Sequence, residues 1–192
     1  MKTTPDTADV ARQQVERRYP RQVRLADGHD VELRLMGDGD VDAVLAFAQG
    51  LSPDDLMYLR VNITERPVVE GWVASIRDHR TLTALAVHDG QVLGEASLFY
   101  NTTSWTRHLG ELRIQIAPIA RRRGLARILA DEIDANASEL GLQLLTVRMT
   151  LDQTAAQAVF RRLGFQREAV LWDYVITPDG KTRNVLVATK RL

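Results

Sequence analysis

The sequence predicts an α/β chain built on one mixed, mostly antiparallel sheet with helices on both faces. Three observations lead there. Two segments of alternating polarity turn around Asp27-Gly28 and around Asp89-Gly90, dipeptides that favour tight hairpins. An apolar strand pattern at 110–117 runs into a long helical pattern and then into a second apolar strand at 142–149. With 192 residues, 45% hydrophobic and 26% charged, the chain has room for one domain with a proper core and little else.

Residues 7–19 read as a charged, weakly amphipathic helix stopped by Pro20. Residues 1–21 are therefore set apart as an N-terminal arm, and 22–192 as the domain. The arm carries Arg12, Glu16, Arg17 and Arg18, and is expected to dock on the domain or on a second copy, as in a homodimer. The first hairpin spans 22–36. Gly37 to Gly39 is a turn, and Asp40 is placed to cap a helix with Val41, Val44, Leu45 and Ala48 on one face. Ser52-Pro53-Asp54-Asp55 opens a further helix through a serine cap and a proline in the first turn. Pro67 to His79 gives another, with Val69, Trp72, Val73 and Ile76 at helical spacing.

The pattern then changes to strands at 81–88, 91–100 and 110–117. In the last, Leu112, Ile114 and Ile116 share one face, and Glu111, Arg113 and Gln115 the other. A helix over 123–140 buries Leu125, Ile128, Leu129, Ile133 and Leu140, with Gly141 suited to its C-terminal end. A central strand at 142–149, a helix over 152–163 ended by Gly164, and two strands around Pro178-Asp179-Gly180 complete the chain.

Composition narrows the function. A formal net charge of zero disfavours nucleic-acid binding, which needs a basic surface. The chain has no cysteine, which removes thiolate catalysis and cysteine-ligated zinc and suits a reducing cytosol. No apolar run is long enough to cross a bilayer, and the first residues lack the apolar core of a signal peptide, so a cytoplasmic protein is expected. His29, His79, His88 and His108 are scattered without ligand spacing, so no metal is expected.

The segment that carries chemistry is 110–133. An apolar strand enters the loop Arg121-Arg122-Arg123-Gly124-Leu125-Ala126, which opens the long helix. The first turn of a helix has unpaired N–H groups at a positive dipole end, a ready anion site. Gly124 permits close backbone approach to a diphosphate, Ala126 keeps the next contact small, and the arginines add charge. The loop is neither G-x-G-x-x-G nor a P-loop.

At these residues the chain resembles the GNAT superfamily of acyl-CoA-dependent N-acetyltransferases. The superfamily's Arg/Gln-x-x-Gly-x-Gly/Ala motif fits Arg121 to Ala126 at every fixed position. Its second signature, Asn-x-x-Ala-x-x-x-Tyr-x-x-x-Gly-Phe, aligns with Gln153, Ala156, Phe160, Gly164 and Phe165. The likeness spans about residues 30–190 and implies a GNAT-like fold, in which the motif strand splays from the strand at 142–149. It implies acetyl-CoA as co-substrate, with its pantetheine on the backbone near Ile114 and Ile116 and on Gln153. Its pyrophosphate would lie on the N–H groups of Arg121, Arg122, Arg123, Gly124, Leu125 and Ala126. Two positions depart from the signature: Gln153 replaces asparagine but keeps an amide, and Phe160 replaces a tyrosine that often protonates the departing thiolate.

An amine nucleophile must lose a proton. Glu111, ten residues before Arg121 and near where family members place a glutamate base, is the first candidate, and Glu95 on the preceding strand is the rival. Each has an alternative as an ordinary strand carboxylate. His108 is a candidate relay, Tyr100 and Tyr174 are candidate acids, and Trp72 and Trp105 are candidates for the acceptor side. The acceptor stays open. The stretch 31–60 loosely resembles bacterial protein-lysine acetyltransferases, through Leu51-Ser52-Pro53 and the aromatic–x–Arg of Tyr58 and Arg60. That favours a protein lysine, beside small amines, amino acids and aminoglycoside-like compounds. Phe160 also leaves open an acyl-CoA-binding regulatory module with little turnover, and a third reading keeps the fold as an interaction domain only.

Overall fold

The alternating segments pair into one eight-stranded sheet in the order β1-β2-β3-β4-β5-β6-β8-β7. The computed structural model describes residues 7–57, 59, 61–101, 103–177 and 179–192. The elements in chain order are α1 (Thr7–Glu16), β1 (Arg21–Arg24), β2 (Asp30–Leu35), α2 (Val41–Gln49), α3 (Pro53–Met57), α4 (Arg66–Arg77), β3 (Thr81–His88) and β4 (Gln91–Tyr100). They continue with β5 (Leu109–Ile116), α5 (Leu125–Glu139), β6 (Leu144–Thr150), α6 (Thr154–Arg162), β7 (Gln166–Ile176) and β8 (Thr182–Arg191). Both hairpins form, and every neighbouring pair is antiparallel except β5 with β6. Of the last predicted turn, Pro178 lies outside the described residues.

Two apolar clusters sandwich the sheet. One joins α1 and α5 to Leu82, Ala84, Leu98, Leu112, Leu145 and Val147, and the other joins α2 and α4 to Leu85, Val87 and Val92. This split follows from strand alternation: Leu85 points away from Ala84, and each face selects its own helices.

Three expectations are corrected at element ends. Helix α5 starts at Leu125 rather than Arg123, because Arg122 (φ 61°) and Gly124 (φ 84°) both take the left-handed conformation, which a helix cannot include. Asp40 does not cap α2 through its side chain. Its carboxylate accepts the Gly37 N–H at 2.8 Å and grips the Arg34 guanidinium at 2.8 and 2.6 Å, bracing the turn before the helix. The first helix ends at Glu16, and its arm docks on its own domain, with Val15 fully buried. Arg12 donates to the Ile76 carbonyl at 3.2 Å, while Arg18 and Arg21 both pair with Glu132, a carboxylate buried on α5. These groups are engaged within the chain.

The sheet opens at one place. Strands β5 and β6 run parallel and pair only through Leu109↔Leu144, Gly110↔Leu145 and Glu111↔Thr146. Beyond that, 112–116 and 147–150 pair with nothing across the gap, while each strand stays paired with its outer neighbour. Gly110 sits at the pivot, where a Cβ would stand 2.6 Å from Leu98 Cδ1 and 3.0 Å from Leu142 and Leu145. The strands close at this point because that position has no side chain.

Candidate active site

A cleft of about 460 Å³ occupies the gap. Its walls come from Glu111, Arg113, Ile114 and Gln115 of β5, Val147, Arg148 and Met149 of β6, and Gln153, Ala156 and Phe160 of α6. The far side is closed by Ile63, by Val68 and Trp72 of α4, and by Phe99 of β4. A smaller pocket adjoins it, sharing Arg148, Met149 and Gln153 and adding Tyr174.

The loop at the end of β5 presents a run of backbone donors. Among the described residues, the N–H groups of Arg122, Arg123 and Gly124 donate to nothing, and Leu125 and Ala126, opening α5, have no carbonyl four residues back. Five successive N–H groups at a positive helix end form an anion cradle. A Cβ on Gly124 would meet only Ala26 Cβ, at 3.9 Å. Conformation, not protein crowding, therefore demands glycine here.

The three arginines divide their work. Arg121 turns back, donating from Nε to the Ile116 carbonyl at 3.1 Å and pairing with Asp55 at 2.6 Å. Arg123 pairs with Asp27 of the first hairpin at 3.0 Å, and its carbonyl accepts the Ala26 N–H. Only Arg122 has no carboxylate partner among the described residues, and it is exposed beside the cradle. Two of the three guanidinium groups thus brace the loop. Asp55 also exchanges hydrogen bonds with Ser52, the expected serine cap. Burial opposes its charge, but Ser52 and Arg121 outweigh that and hold its pKa below the ordinary carboxylate range. Tyr58 and Arg60 of the aromatic–x–Arg run lie outside the described residues.

Ile114 lines the cleft, whereas Ile116 lies beyond it with its carbonyl engaged by Arg121. The Gln153 side chain accepts the Thr150 N–H at 2.9 Å, which fixes the amide at the cleft's edge. Phe160 lines the cleft and packs edge-on against Phe165 at 5.3 Å, so this wall offers no hydroxyl.

Of the two candidate bases, Glu111 lines the cleft, with Oε2 3.8 Å from Arg148 Nη2. Glu95 stands outside its lining and is 1% exposed. Its Oε2 accepts the Ser97 hydroxyl at 2.7 Å, Ser97 contacts Thr83 at 2.9 Å, and Thr83 accepts the Trp72 indole N–H at 3.0 Å. Ser97 spends its one proton on Glu95, so Thr83 must donate to Ser97 and the chain is directed at the carboxylate. Burial raises the pKa of Glu95, opposed by Arg113 and Ser97.

His108 and Trp105 do not line the cleft, and Trp105 is 89% exposed. Tyr100 is outside it too, its hydroxyl 3.5 Å from Arg12, and burial raises its pKa. Among the described residues no group of three or more His, Asp or Glu could hold a metal ion, and no helix is long and apolar enough to cross a membrane. Sequence reasoning missed Arg113, Arg148, Phe99 and Asp55. Their only signal was a polar residue at an inward strand position or a cap, and the partners are remote in sequence.

The model of the acetyltransferase (GNAT) family matches residues 47–165. The chain belongs to the GNAT family. It is therefore an acyltransferase, and its eight-stranded mixed sheet is the GNAT fold. Among solved structures, the GNAT domain of S. lividans PAT superposes with a TM-score of 0.76 at 15% identity, covering 91% of this chain and 98% of that one. Mycobacterium smegmatis RimJ in complex with CoA-disulfide gives 0.74 at 20%, covering 90% and 86%. Ribosomal-protein-alanine N-acetyltransferase from Brucella melitensis gives 0.72 at 23%, covering 83% and 99%. At these identities the likeness is one of fold. No curated protein matches the chain in sequence.

Proposed function

We propose that this GNAT protein binds acetyl-CoA in the β5–β6 gap and transfers the acetyl group directly to an amine, on a protein lysine or a small molecule. One observation carries the reading: a run of five N–H groups without an acceptor among the described residues stands at the end of the strand whose splayed edge lines the cleft. An elongated ligand with a diphosphate at one end and an acyl thioester at the other fits that juxtaposition. Arg122 to Ala126 hold the diphosphate, while Ile114, Gln153 and Phe160 line the path of the arm.

Glu111 accepts the proton of the attacking amine, directly or through water, in the cleft beside the point where β5 and β6 part. The nitrogen bonds to the thioester carbon, and unpaired N–H groups of β5 receive the developing oxyanion. The carbon–sulfur bond then breaks and the thiolate leaves. Phe160 has no proton to give, so the thiolate leaves unaided or takes a proton from water, which its modest basicity allows. Without a cysteine, an acetyl-cysteine route is closed, and a ternary complex supplies rate by proximity.

The test is thiol release from acetyl-CoA across a panel of amines, with both substrates varied. Intersecting initial-rate lines support direct transfer, and parallel lines would indicate an acetyl-enzyme. Acetyl-CoA binding without thiol release for any amine would overturn the proposal.

A further inference from the structure

On the far wall of the same cleft, Arg113 is held in an unusual way. Its guanidinium carbon lies 4.8 Å from the Phe99 ring centroid and 5.5 Å from that of Trp72. Aromatic faces at these distances attract the cation and fix the plane of the group without using its hydrogens. Among the described residues no acceptor takes a hydrogen bond from this side chain, and its buried Nε is left without a partner. The nearest carboxylate, Glu95, has Oε1 4.0 Å from Nε, beyond hydrogen-bond reach, and its other oxygen is taken by Ser97. Burial disfavours the charged form of Glu95, which leaves the guanidinium less neutralised still. A guanidinium has five donors, and a site where none is used calls for an anion from outside.

We infer that Arg113 binds a carboxylate of the acceptor, so that the substrate class is an apolar amino acid rather than a protein lysine side chain. This rests on the acetyl-transfer reading of the cleft. Glu111 and Arg113 are two residues apart on one face of β5, so their Cα atoms are about 7 Å apart. An amino group beside Glu111 and a carboxylate beside Arg113 span that spacing when one to three carbons separate them. The rest of the wall, Ile63, Val68 and Trp72, offers an apolar side chain surfaces but no further charge. Arg148 lies 3.8 Å from Glu111 and Arg113 4.0 Å from Glu95, but of these two cleft cations Arg113 alone has a buried N–H, on Nε, with no acceptor among the described residues.

The experiment compares leucine with leucinamide, and phenylalanine with its amide, by pH-independent kcat/KM in the thiol-release assay. Nα-acetyl-lysine amide serves as the lysine mimic. The acids should exceed the amides by ~10- to 100-fold, the value of a charge-assisted pair. Arg113→Met should abolish the preference, and Arg113→Lys should keep part of it. Amides used as well as acids, a lysine mimic used better than either, or a preference that survives in Arg113→Met would each overturn the inference. Calorimetry with 4-methylpentanoate, which has the carboxylate and no amine, separates the two proposals. Should no amine release thiol, acetyl transfer fails by itself. Binding of this probe that weakens at least tenfold in Arg113→Met, and less in Arg113→Lys, would still uphold the anion site, and unchanged binding would overturn it.

Discussion

Replacing Gly124 separates two reasons for its being glycine. Its φ of 84° is left-handed, and a Cβ there would meet no protein atom closer than 3.9 Å. A β-branched residue in this conformation is strained by ~1–2 kcal/mol or more, and relaxing it re-aims the N–H groups of Gly124 and Leu125. Losing one charge-assisted N–H bond weakens affinity by roughly 30-fold, for about 2 kcal/mol. Acetyl-CoA at 100 times its Kd stabilises the native state by ~2.7 kcal/mol, a rise of about 5–11 °C in Tm for a domain of this size. After a 30-fold loss the same concentration stabilises by only ~0.9 kcal/mol, about 2–4 °C. Differential scanning fluorimetry with and without acetyl-CoA should therefore show the ligand-induced shift collapsing in Gly124→Val. Gly124→Asn, which tolerates the left-handed region, distinguishes the causes. A shift retained in the Asn variant assigns the effect to conformation, and a shift lost in both assigns it to the ligand's approach. A full shift in Gly124→Val would refute the cradle.

Glu111→Gln should lower kcat by roughly 10²–10⁴ with acetyl-CoA affinity nearly unchanged, and steady-state kinetics with calorimetry check both parts. For Glu95 the folded pKa lies above the ordinary 4.5, so the native state holds the proton more tightly than the unfolded chain. Wild-type stability from this group is therefore lost as pH rises from about 4.5 through the raised value, and the Tm advantage of Glu95→Gln should grow across that window. A difference that is constant with pH would show that Glu95 titrates normally. Gly110→Ala forces a methyl to 2.6 Å from Leu98 Cδ1 between buried leucines. It should lower stability by ~1–3 kcal/mol, or about 2–12 °C in Tm, and an unchanged melting curve would show that the strand junction is not tightly packed.

The elements themselves were legible because their signals are local. Asp27-Gly28 and Asp89-Gly90 name their hairpins by backbone preference alone, and the alternation through 110–117 already separates Leu112 and Ile114 from Glu111 and Arg113. The run of free N–H groups was legible for the same reason, since a glycine and a helix start stand next to each other in the chain. Charge partners were not. Arg121 and Arg123 read as phosphate ligands, and their pairing with Asp55 and Asp27, remote in sequence, left no trace there. The arm read as docking on the domain or on a second copy, and its contacts on the domain, Val15 in the core and Arg18 with Glu132, join residues remote in sequence. Glu111 was the first candidate and Glu95 the rival, but as residues in the sequence both were strand glutamates. The register that sets Glu95 against Gln115 and Glu111 at the last pair before the splay made one a buried carboxylate and the other a cleft wall. Periodicity and turn chemistry act over a few residues and determine which elements form. Which side chains share a cavity depends on strand order, on the pivot at Gly110 and on burial, and these are properties of the packed chain alone.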